Sequence, residues 1–125
     1  MIINLEKVYR SPDLDLISHV LSRFVEMVFL TNEEERFYLL DLVLLKNGLG
    51  NSDLNWEIDR SNNDGIVSYQ IVSDPLFIDD VVSTCVNLSE NDFVFFLKDK
   101  MKEYSDGNLL KKRVFDEIVD RYNFK

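Results

Sequence analysis

The segment Leu54-Asn55-Trp56-Glu57-Ile58-Asp59 alternates apolar with polar residues, and after Asn62-Asn63-Asp64-Gly65 the chain returns through Ile66-Val67-Ser68-Tyr69-Gln70-Ile71. A period of two marks a strand with one buried face. An Asp-Gly turn between two such runs is a strong hairpin signal. The stretch therefore predicts a β-hairpin. Beyond Asp74-Pro75, the run from Asp79 to Leu88 carries Val81, Val82, Thr84 and Val86 and predicts a third strand from its β-branched content.

Both flanks of this region have helical periodicity. Ser11 is placed to cap a helix with Pro12 at its first position. Leu14, Leu16, Ile17, Val20, Leu21, Phe24, Val25, Met27 and Val28 then fill one half of a helical wheel over about 17 residues. Thr31 with Glu34 reads as a capping box for a second helix, apolar almost all round from Phe37 to Leu45. Asn47-Gly48 predicts its left-handed end, with Gly50 in a loose connection. After the strands, Ser89 with Asp92 opens a helix to about Tyr104, with Phe93, Val94, Leu97 and Met101 on its face. Asn108 caps a last helix bearing Leu110, Val114, Phe115, Ile118, Val119 and Tyr122. This order predicts one α+β domain over residues 1–125, with helices flanking a small antiparallel three-stranded sheet.

The chain has 125 residues and a net charge of −9, and the charge is unevenly distributed. Residues 47–97 hold nine acids and a single base, Arg60, whereas residues 98–125 hold eight bases and six acids. Asp is favoured at turns and caps, which accounts for Asp64, Asp74 and Asp92. It does not account for the absence of lysine, the usual protector of edge strands, from 47 to 97. An acidic surface repels nucleic acid and anionic lipid, so the reading is a surface for a basic protein partner, weighed against plain solubility. The aromatic residues Trp56 and Tyr69 lie within the acidic stretch. They are read either as core or as anchors of a binding hot spot, with Tyr69 the favoured anchor. Phe95 falls off the apolar stripe of its helix and is expected to be exposed.

Other classes find little support. The single cysteine, Cys85, cannot close an internal disulfide and reads as a small core residue. The N-terminus lacks the pattern of a signal peptide, and no apolar run reaches the roughly 18 residues of a membrane span, so the expected location is cytoplasmic. His19, the one histidine, falls on the polar face of the first helix with no orienting partner evident. Asp79-Asp80 puts two carboxylates on opposite strand faces, and no calcium-loop or phosphate-loop spacing is present. Neither a catalytic residue, a metal nor a cofactor is expected.

The run Leu45-Lys46-Asn47-Gly48-Leu49-Gly50, then Trp56 and Asp64-Gly65-Ile66-Val67, resembles contact-dependent growth inhibition immunity proteins of the ribonuclease-toxin type. Val81 to Val86, Asn91-Asp92-Phe93 and Tyr104 continue the likeness, which covers roughly residues 35–122. The resemblance implies a small cytoplasmic protein that binds and blocks a toxin domain. Joined to the charge reading, it nominates Asp53, Glu57, Asp59, Asp64, Tyr69, Asp74, Asp79 and Asp80 as toxin-binding residues. The alternative is an acidic adaptor for a different basic protein.

Overall fold

The expected hairpin is present, and it is longer than the alternation suggests. In the computed structural model, which describes residues 9–50, 55–78 and 81–124, β2 spans Trp56–Asn63 and β3 spans Ile66–Ile78. They pair antiparallel from Trp56 opposite Ser73 to Asn63 opposite Ile66. Asp64 (φ 53°) and Gly65 (φ 86°) make the two-residue turn. Both central residues are left-handed, the geometry that matches strand twist, and the Asn62 carboxamide oxygen accepts from Gly65 N–H at 3.0 Å.

Among the described residues the sheet has four strands where three were expected. β1, Gly48–Gly50, pairs antiparallel with β2, and β4, Val81–Ser89, pairs antiparallel with β3, so the spatial order follows the chain order. The added strand comes from the two glycines read as a helix end and a loose connection. Gly48 (φ +107°) comes so close to β2 that a Cβ would meet the Ile58 carbonyl oxygen at 1.9 Å, and a Cβ on Gly50 would fall 2.4 Å from Glu57 Cγ. Only glycine permits this approach. Asp74-Pro75 does not end β3 either. Three residues of β3 lie between Val72 and Leu76 where β4 has one between Cys85 and Ser83, and Pro75, which has no N–H to donate, sits in that irregularity.

Helix α1 spans Ser11–Phe29 and α2 spans Glu33–Leu45. α3 spans Glu90–Ser105 and α4 spans Leu109–Tyr122. Helix α1 is the core element: Leu16, Ile17, Val20, Leu21, Phe24, Val25, Val28 and Phe29 are all buried against α2, α3, β3 and β4. It begins one residue earlier than expected, with Arg10 rather than Ser11 at the N-cap. The second cap is also shifted: Asn32, not Thr31, accepts from Glu35 N–H at 2.8 Å. The caps at Ser89 and Asn108 are those expected, accepting from Asp92 N–H and Lys111 N–H.

Helix α2 is less enclosed than its composition implies, because Tyr38 and Leu45 are exposed. Its one buried charge, Arg36, donates from Nε to Val28 O and from Nη2 to Thr31 O, both at 3.0 Å, and so fastens the α1–α2 corner. On α4 only Ile118 is fully buried, and Leu110, placed on its inner face by periodicity, is exposed. The helices cover one face of the sheet. Trp56, Ile58, Tyr69, Ile71, Val86 and Leu88 are buried on that side, and no described helix covers the opposite face. Among the described residues no helix is long and apolar enough to cross a membrane.

Candidate protein-binding face

The strand registers fix which side chains share the open face. One row across the sheet is Gly50, Glu57, Val72 and Cys85; the next is Gly48, Asp59, Gln70 and Asn87. Glu57, Gln70, Cys85 and Asn87 are exposed and Asp59 is half-buried. Two residues apart on one strand, Glu57 and Asp59 stand side by side at roughly 7 Å. Every neighbour in their rows is uncharged, and neither takes part in the ion pairs found among the described residues. Gly50 gives Glu57 its room, since any larger side chain there would meet the glutamate stem.

Arg60, the only base in this part of the chain, is turned away from that face. It pairs across the ladder with buried Tyr69. Its Nη1 donates to Lys46 O at 3.1 Å and its backbone N–H to Asn47 O at 3.0 Å. The guanidinium therefore holds the α2–β1 turn, and neither carboxylate has an ion-pair partner among the described residues.

The structure brings together only part of the nominated set. Glu57 and Asp59 are adjacent. Asp64 is exposed at the hairpin tip and Asp74 at the far end, where its N–H donates to Asn55 O at 3.1 Å. About ten strand residues separate these two aspartates, or roughly 30 Å. Asp53, Asp79 and Asp80 lie outside the described residues.

Tyr69 is not an exposed anchor. It is 2% exposed, its ring stacks on Phe93, and its hydroxyl donates to Val43 O at 2.8 Å. Burial pushes the phenol up to about 12, against a smaller opposing pull from Arg60. Its odd position in the alternation put it on the same face as Ile71, whose apolar character marked that face as inward. Trp56 is likewise in the core.

Cys85 is exposed rather than buried, because inward-facing Val86 turns its neighbour outward. His19 is half-buried on α1, and burial first, then Arg23, lowers its pKa. No group of three or more His, Cys, Asp or Glu able to hold a metal ion occurs among the described residues.

A second exposed feature lies on the helical side. Leu45, Val94 and Phe95 line an open groove of about 690 Å³ between the end of α2, α3 and the chain end at Tyr122–Phe124, with Lys98 and Lys102 beside them. Phe95 is exposed as its helix position predicted, whereas Leu45, 61% exposed, was missed. Its place as the last residue of α2 was the available signal. The groove mixes both charge signs, unlike the sheet face. No protein-family profile, no curated protein and no solved structure matches this chain.

Proposed function

We propose that the chain is a non-catalytic binding protein of the immunity type, which neutralises a basic toxin domain by presenting its open sheet face to the toxin's cationic cleft. The observation that carries this reading is the carboxylate couple, Glu57 and Asp59, which has no ion-pair partner among the described residues and lies on a face that no described helix covers, while Arg60 is engaged on the other side. A nuclease must offer cations to phosphate, and carboxylates presented in the same place compete for them. Complementary charge raises the association rate, while contacts desolvated at the interface set dissociation. The function needs no cofactor and no chemistry by this chain, and it places the protein in the cytoplasm, where a delivered toxin acts.

The test is co-expression with a toxin domain encoded directly upstream, followed by co-purification and titration at two salt concentrations. The expected result is a complex whose association slows as ionic strength rises. Charge reversal by Glu57→Lys with Asp59→Lys should weaken it without unfolding the domain. Separate elution at micromolar concentration and low salt would remove the toxin pairing and leave the adaptor reading. An unchanged affinity in the double variant would move the interface off the sheet face.

A further inference from the structure

The two edges of the sheet differ in length. β1 is three residues long. β4 runs for nine residues, and no described strand pairs with its outer side. An edge strand carries a row of unpaired N–H and C=O groups, and natural proteins blunt such edges with charge, proline, a bulge or brevity. Val81–Ser89 has none of these. It contains no charged residue and no proline in a chain that is 30% charged, and the extra residues of the irregular pairing belong to β3, so β4 runs on unbroken.

We propose that β4 pairs antiparallel with β4 of a second copy about a twofold axis at Cys85, joining two four-stranded sheets into one of eight. The strand's own sequence argues for a second copy. Cys85 is the middle residue of the nine, so a twofold axis there pairs the strand along its whole length. Thr84 of one copy then lies opposite Val86 of the other, and no charge faces another within the strand. Elsewhere a chain of net charge −9 repels its own copy. Acids flank the strand at Asp80 and Glu90, so the dimer tightens as salt rises, opposite to the binding of a basic partner. The dimer thus stands independently of the toxin reading.

In this register the two Cys85 residues face one another. Directly opposed strand residues have Cα atoms about 4.5–5.5 Å apart, within the span of a disulfide. Sedimentation over a concentration series should show a reversible dimer that strengthens with salt. Diamide should then link the copies through Cys85, the two thiols forming one S–S bond and passing two electrons and two protons to the diazene, which becomes the hydrazine. The control is Cys85→Ser with Asn87→Cys, which moves the thiol along the same exposed face. Its two cysteines are displaced by four residues, roughly 13 Å, and should not link. Thr84→Lys, at an exposed position, should abolish association while the circular dichroism spectrum is retained. A monomer at every concentration, equal cross-linking of both cysteine placements, or an undiminished dimer in Thr84→Lys would each overturn the proposal.

Discussion

The ring of Tyr69 lies face to face with that of Phe93, their centroids 3.8 Å apart and their planes within 8° of parallel. One side chain thereby joins three elements, because the Tyr69 ring packs on α3 while its hydroxyl reaches Val43 O on α2. The hairpin is fastened to the helices at this point, and the packing and the hydrogen bond are separable by mutation.

Tyr69→Phe removes the hydroxyl and keeps the ring, so it should lower stability by about 1 kcal/mol. Tyr69→Ala also loses the stacked ring and should cost about 3–5 kcal/mol. Urea denaturation of both variants measures the two terms. Because Tyr69 is buried, a folded Tyr69→Phe protein should bind a partner with unchanged affinity.

Alkaline pH should destabilise the fold in the range where an ordinary phenol ionises. Burial raises Tyr69 to about 12, and Tyr9 and Tyr122 are raised first by burial and then by their hydrogen bonds to Asp92 and Asp41. Between about pH 10 and about pH 12 the unfolded chain releases phenolic protons that the folded chain retains, so stability falls as pH rises through this window. Urea midpoints taken alongside phenolate absorbance should show the decline beginning near pH 10. A flat profile across the window would contradict the burial of these hydroxyls.

Gly48→Ala and Gly65→Ala separate strain from collision. Both glycines have positive φ, which costs an alanine roughly 1–3 kcal/mol. At Gly65 nothing lies within 4 Å of a new Cβ, whereas at Gly48 the Ile58 backbone blocks it. Gly48→Ala should therefore be clearly the more damaging in thermal denaturation and should detach β1 from β2. Equal losses would mean that the close approach carries no weight.

Asn32→Ala should cost about 1 kcal/mol by uncapping α2, and Thr31→Ala should cost little, since only the Thr31 backbone carbonyl is engaged, by Arg36. Paired urea titrations give the difference directly. The reverse ranking would restore Thr31 as the cap.

Periodic elements were legible in the sequence, and so were the strong local signals. The α1 stripe, the caps at Ser89 and Asn108 and the Asp64-Gly65 turn are each specified within a few residues, and each is where the pattern put it. The failures needed information from distant parts of the chain. β1 depends on two glycines lying against β2, a contact that no local pattern encodes. The bulge at Asp74-Pro75 depends on the partner strand continuing past it. The errors at the site have a similar origin. The hydroxyl and acidic surroundings of Tyr69 suggest exposure, although its spacing from Ile71 assigns it to the inward face. In the sequence Arg60 reads only as one positive charge, and nothing local marks the carbonyl it reaches. Charge by segment located the acidic face, and only the registers across the sheet showed that Glu57 and Asp59 stand together there while Asp64 and Asp74 stand apart.

Along β2 the odd and even positions answer to different pressures. Trp56 and Ile58 must suit the helices beneath them, whereas Glu57 and Asp59 lie on the face that no described helix covers. A mutation that rewrites the outer pair leaves the inner pair untouched. The outward positions of β2 can therefore be rewritten one by one, while the inherited architecture is carried by the inward ones.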